Sequence, residues 1–252
     1  MRRYFPAVTI LLIVNFAVFL APSFVRGLGR FLIDNFALYY PANDQFKDWQ
    51  LVTHMFLHGG LMHIAFNMFA LYTFGRTLEQ VLGTSRFAVF YFLCGVGAAS
   101  IHLLVTWMQA QALQSQLMDA GVSASQIQTL LATGRMPAGY NPQEVRAMLS
   151  ELFGIYVTPM VGASGALYGV MTAFGMTFPN AKLALIFLPV PIPAKYFIPI
   201  IVAIDLTSGL TGFSLFGGGI AHFAHVGGAL IGFLLMLLWR RQQRQRVDVW
   251  RS

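Results

Sequence analysis

The amino-acid sequence predicts an all-α fold, a polytopic membrane bundle of six transmembrane helices, and three observations predict it. Hydrophobic residues fill 57% of the 252 positions and charged residues only 10%, where a soluble domain carries about 25%. Apolar runs close to the ~20 residues that a helix needs to cross hydrocarbon recur along the whole length. The net charge of +7 is distributed unevenly between alternate connecting segments, as membrane topology requires.

The first span is expected at residues 5–22. Its apolar run follows Arg2 and Arg3 as in a signal peptide, but a small-x-small cleavage site is lacking and Pro22 follows directly, so it reads as a retained span. An interfacial segment at 23–49 mixes Pro, Gly, paired aromatics and a few charges. The second span, 50–74, contains HMFLHGGLMHIAFNMF and leads into the turn GRTLEQVLG; the third, at 87–107, is followed by a polar, glutamine-rich insert at about 109–156. Within it, NPQEVRAMLSELFG has Asn141 as N-cap, Pro142 at the first helical position, Glu144 closing a capping box and Gly154 as a stop. SQIQTLLATG repeats the pattern with Ser125, Gln128 and Gly134. Both helices are expected on the outer face with their apolar sides on lipid headgroups.

The fourth span is expected at 162–178. Prolines 189, 191 and 193 then break the chain into an inner loop between Lys182 and Lys195. The fifth and sixth spans are expected at 196–210 and 219–239, with a glycine-hinged outer loop between them whose Phe213 and Phe216 suit a lid. The whole chain, 1–252, is thereby one membrane domain with an outer insert and a basic tail at 240–252.

With both termini cytoplasmic, the inner segments hold eleven Lys and Arg and the outer segments five, a positive-inside bias. The tail RRQQRQR therefore reads as an anchor on anionic lipid, and nucleic acid is not an expected partner. The single cysteine, Cys94, excludes a disulfide framework or a cysteine metal site within the chain. HMFLH has Met55 where a zinc protease needs glutamate. No metal or cofactor is expected.

Polar groups in hydrocarbon are costly, so those present are either paired or functional. His54, His58, His63 and Asn67 lie in the second span, Ser164 in the fourth, Asp205 in the fifth, and His222 and His225 in the sixth. The even-numbered spans all run from outside to inside, which places Asn67, His63, Ser164 and His225 at one outer depth. His63 and Asn67, four apart, project from one helical face. Gly165 with Gly169, and Gly228 with Gly232, are GxxxG pairs that let two helices approach closely. Such pairs are ordinary packing in themselves, but here they bring a serine toward an imidazole, the arrangement of an activated nucleophile. Asp205, near the outer end of its own helix, is set aside as a third member. The G-x-S-x-G elbow of soluble hydrolases is missing, since Ala166 replaces its second glycine.

These motifs together resemble the rhomboid intramembrane serine proteases. HMFLHGGLMHIAFN is similar to the family's histidine and asparagine signature, GRTLEQVLG to its inner turn, GASGALYG to its serine motif, and AHVGGALIG to its AHxxGxxxG helix. The resemblance implies a bacterial six-span form in the plasma membrane, with its active site opening outward. It also implies a Ser-His dyad: Ser164 as nucleophile and His225 as base, with the oxyanion held by His63, Asn67 and the Ser164 N–H. Tyr168 would orient the His225 ring, His58, Gly162 and Gly165 would support the site, and Glu79 would brace the inner turn. The implied substrates are membrane proteins cut in or near their transmembrane helices. A catalytically inactive rhomboid-like protein that binds such helices is the alternative.

Overall fold

The computed structural model describes residues 6–137, 139, 143–185, 188–213 and 221–249, without the side chains of 185–189 and 240–249. Asn141 and Pro142, Phe216 with the glycine triplet at 217–219, and the side chains of the basic tail lie outside the described residues.

Helix α1 (Ala7–Leu20) starts after Pro6, a residue suited to a helix start because it has no N–H to satisfy. A 3-10 turn over Ala21–Ser23 and the short helix α2 (Leu28–Phe36) follow. The fully buried Gln50 organises the next loop: its Oε1 accepts from the Tyr39 and Lys47 N–H groups, and its Nε2 donates to the Gln45 carbonyl at 2.8 Å. A buried amide that meets several loop backbone groups keeps an irregular segment ordered.

The expected second span is not one helix. It comprises α3 (Gln50–Thr53), a 3-10 turn (His54–Phe56), α4 (Leu61–Ala70), a π-turn (Leu71–Gly75) and α5 (Arg76–Leu82), with a bend of 97° between its two arms. The break falls at HGG, where Leu57 turns extended and the glycines weaken the helix. α5 ends at Gly83, whose positive φ of 80° stops the helix, and α6 (Thr84–Asp119) begins at once.

α6 does not stop at 107. Its 36 residues run ~54 Å at 1.5 Å per residue, well beyond the ~30 Å of hydrocarbon. The far end packs with α7 (Ala124–Thr133) and α8 (Gln143–Val157), burying Leu117, Leu130, Leu149 and Leu152. The insert therefore has a small core of its own, and the apolar sides expected on headgroups face one another and α6. The N-cap of α7 is Ser123 with Gln126 as its box partner, two residues before the expected Ser125 and Gln128, while Gly134 ends the helix as expected.

α9 (Ser164–Thr177) leads to an antiparallel hairpin of β1 (Lys182–Leu185) and β2 (Leu188–Pro193), the form taken by the expected inner loop. Three prolines in six residues exclude a helix there but leave an edge hairpin open. α10 (Ala194–Thr211) and α11 (His222–Val249) complete the chain.

The main core surrounds α9: Met55, Leu71, Phe87, Phe90, Tyr91, Cys94 and Val170 are all fully enclosed. Here the GxxxG pairs meet. A Cβ on Gly232 would lie 2.6 Å from the Gly169 backbone, one on Gly165 would lie 2.7 Å from Ala98, and one on Gly228 would run into the Gly165 carbonyl. Backbone contact of this kind supplies van der Waals attraction that burial cannot supply in lipid.

Among the described residues, three helices are long and apolar enough to cross a membrane: α6, α10 and residues 222–239 of α11. The bent pair α3 to α5 makes a fourth if taken as one. α1 is a shorter apolar helix, and α9, with 14 residues, spans only ~21 Å. The helical membrane bundle is thus as the sequence predicts, while length and composition do not by themselves yield six full spans.

Candidate active site

The strand-like approach to α9 is tied down first. Leu38 and Met160 form an antiparallel bridge, and the Gly162 N–H donates to the His54 carbonyl at 2.9 Å. Gly162 has φ of +121°, a conformation that L side chains rarely adopt, so glycine is needed at this corner. Ser164 then opens α9 as its first residue, and its N–H belongs to the turn that has no intrahelical acceptor.

The Ser164 hydroxyl lies 2.8 Å from Nε2 of His225. His225 is in the first turn of α11, and the close α9–α11 contact brings the two groups together. Tyr168, one turn below Ser164, stacks on the His225 ring with centroids 4.3 Å apart and planes 9° apart.

His63 occupies the first turn of α4. Its ring lies against Gly162, so close that a Cβ there would be 2.6 Å from Nε2 and 3.7 Å from the Ser164 hydroxyl. The Gly59 N–H donates to Nδ1 at 3.4 Å, a long bond that favours the proton on Nε2, the nitrogen beside the site. Asn67, buried one turn on, donates its amide to the His63 carbonyl at 3.0 Å and so supports this turn of α4. His58 meets His63 edge to face, 5.0 Å between centroids. α4, α9 and α11 all point their N-termini at this region, and the positive ends of their dipoles favour negative charge there.

Asp205, which the sequence reading sets aside, lies against both imidazoles of α11. Its Oδ1 accepts from His225 Nδ1 at 3.1 Å and from His222 Nδ1 at 2.6 Å, while its Oδ2 accepts from the Tyr168 hydroxyl. A readable signal existed: His222 and His225, three apart, share one helical face and offer two donors to a neighbouring span. Asp205, His222 and His225 also hold their ligand atoms within 4.8 Å of one another, as a metal site would. The 2.6 Å contact is instead that of a charge-assisted hydrogen bond, shorter than the ~3.3 Å edge of a tetrahedral zinc with ~2.0 Å bonds.

His102 on α6 is a histidine that the sequence reading does not single out. Its Nδ1 is buried without a partner among the described residues. Its signal was available, a lone imidazole within an apolar run. Glu79, expected to brace the inner turn, reaches from α5 to the start of α1. Its carboxylate caps the far end of the bundle, accepting from the Ala7 N–H at 2.6 Å and the Val8 N–H at 3.2 Å.

The sequence profile of the Rhomboid domain matches residues 45–242, from the loop before α3 through the membrane part of α11. The chain belongs to the rhomboid family. This rhomboid is 27% identical over 241 residues to the mouse "Presenilin-associated rhomboid-like protein, mitochondrial", covering 93% of this chain and 49% of the relative. It is 27% identical over 212 residues to "RHOMBOID-like protein 6, mitochondrial" of Arabidopsis thaliana, covering 82% and 48%. With "Rhomboid protein 1, mitochondrial" of Saccharomyces cerevisiae the figures are 26% over 184 residues, 73% and 40%. The rhomboid thus spans about half the length of the curated relatives it matches. Their names overturn the expectation of a bacterial form in a plasma membrane: animal, plant and yeast relatives alike are designated mitochondrial.

Proposed function

We propose that this rhomboid is an intramembrane serine endopeptidase that hydrolyses peptide bonds in or near the transmembrane helices of membrane-protein substrates. The relatives' names support a mitochondrial membrane as its setting. The observation that carries the reading is the 2.8 Å contact between Ser164 Oγ and His225 Nε2, flanked by a His63 ring whose Nε2 faces the same corner.

In the reaction, His225 Nε2 takes the Ser164 proton as Oγ attacks the peptide carbonyl. The Ser164 N–H and the His63 Nε2–H are the donors for the oxyanion, with Asn67 supporting His63 and adding its free amide hydrogen. His225 then protonates the leaving amine, and water hydrolyses the acyl-enzyme. Ser164, His63 and His225 are all half-buried rather than sealed, which suits a reaction that consumes water inside a bundle. A helical substrate keeps its carbonyls hydrogen-bonded, so cleavage is expected where the substrate helix is weakened by small residues.

A fluorophosphonate probe tests the reading on the full chain in detergent and in proteoliposomes. Labelling of the native protein and none of Ser164→Ala, together with cleavage of a reporter transmembrane segment by the native protein only, is the expected result. Absence of both labelling and cleavage in the native protein refutes an enzyme and leaves a helix-binding protein.

A further inference from the structure

We infer that Asp205 is a positioning residue for His225, making the serine–histidine pair the working end of a Ser164–His225–Asp205 triad, with His222 and Tyr168 holding the carboxylate. The inference rests on the serine-endopeptidase reading above.

Stacking on Tyr168 fixes the plane of the His225 ring but does not decide which nitrogen carries the proton. Asp205 decides it. An ionised carboxylate is only an acceptor, so Oδ1 at 3.1 Å from Nδ1 requires Nδ1 to be protonated. That leaves the Nε2 lone pair toward the Ser164 hydroxyl at 2.8 Å, the tautomer a general base needs. When Nε2 accepts the serine proton, the resulting imidazolium lies beside an anion whose side chain is only 9% exposed. No proton passes to Asp205; the carboxylate stabilises the cation and keeps the ring from turning.

The carboxylate itself has to be held, since an unpaired charge in an apolar bundle is costly. Three donors converge on it from two helices: His222 and His225 from α11 and Tyr168 from α9. Tyr168 therefore orients the base by stacking on it and orients the base's anchor by its hydroxyl. His222, whose bond to Oδ1 is the shorter of the two imidazole contacts, keeps the carboxylate turned toward α11.

The test uses the full-length protein, with Asp205→Asn as the main variant. The probe-labelling rate and kcat for a reporter segment are expected to fall about a hundredfold with KM unchanged, less than the ~10⁴-fold typical of soluble triads because the Tyr168 stack remains. A folded Asp205→Asn protein with native kcat and native labelling rate overturns the inference.

Nitrogen-15 NMR of histidine-labelled native protein needs no variant. It is expected to show His225 protonated at Nδ1 at neutral pH, and the Nε2-protonated tautomer overturns the inference even if Asp205→Asn does not fold. A native protein that neither labels nor cleaves refutes the endopeptidase reading instead, and the tautomer still reports on Asp205 separately.

Discussion

The rings of Tyr168 and His225 lie face to face, 4.3 Å apart and almost parallel, and the Tyr168 hydroxyl reaches past the imidazole to the carboxylate of Asp205. One side chain thus contacts both the imidazole and the carboxylate behind it. Tyr168→Phe keeps the stack and loses the hydroxyl, whereas Tyr168→Ala loses both. The phenylalanine variant is expected to label about tenfold more slowly than the native protein, and the alanine variant about a hundredfold more slowly. Equal rates for the two variants would mean that the ring face contributes nothing.

Gly162 forms the corner between the segment tied to Leu38 and the start of α9. An alanine there meets an unfavourable positive φ, and its methyl group presses on His63 Nε2. Gly162→Ala is expected to cut the labelling rate about a hundredfold, or ~3 kcal/mol, the cost of losing His63 as the proposed oxyanion donor. Far-ultraviolet circular dichroism should remain native, because the corner lies outside the helices.

Gly228 faces the Gly165 carbonyl with no room for a methyl group, so Gly228→Ala must push α11 away from α9. Overpacking of this kind costs about 1–3 kcal/mol. Thermal unfolding in detergent is expected to show the loss as a lowered midpoint. Labelling of Ser164 should fall with it, since the same helix pair sets the distance to His225.

Glu79 gives its carboxylate to the first two N–H groups of α1, at the end of the bundle away from Ser164. Glu79→Ala is expected to destabilise the protein by about 1–2 kcal/mol, as lost N-caps do, read as faster hydrogen exchange at the start of α1. The labelling rate at 25 °C should stay within twofold of native.

The insert has a separate core, in which Leu130 of α7 and Leu149 of α8 are fully enclosed. Leu130→Ala is expected to cost about 2–5 kcal/mol locally. Hydrogen exchange should rise across α7 and α8 and stay native in α9 and α11. Exchange that rises throughout the bundle would show that the insert and the membrane helices unfold as one unit.

Some of this was determined by the sequence alone. A chain with so little charge and such frequent apolar runs can hide its backbone only as helices in lipid, so the helical membrane bundle followed from composition. The serine and histidine motifs also marked Ser164, His225 and His63 as candidates, and these side chains do lie together, because glycine spacing and first-turn positions are local properties that survive in a linear reading. Tertiary structure alone decided the rest. The second span broke at HGG, α6 ran on into the insert, and prolines 189, 191 and 193 shaped a hairpin, all through contacts made by distant segments. Asp205 is the clearest case. Its depth on α10 was readable, but whether its carboxylate faced lipid or two imidazoles depended on the rotation of α10 against α11. Rotation about a helix axis is set by packing, and no single helix encodes it.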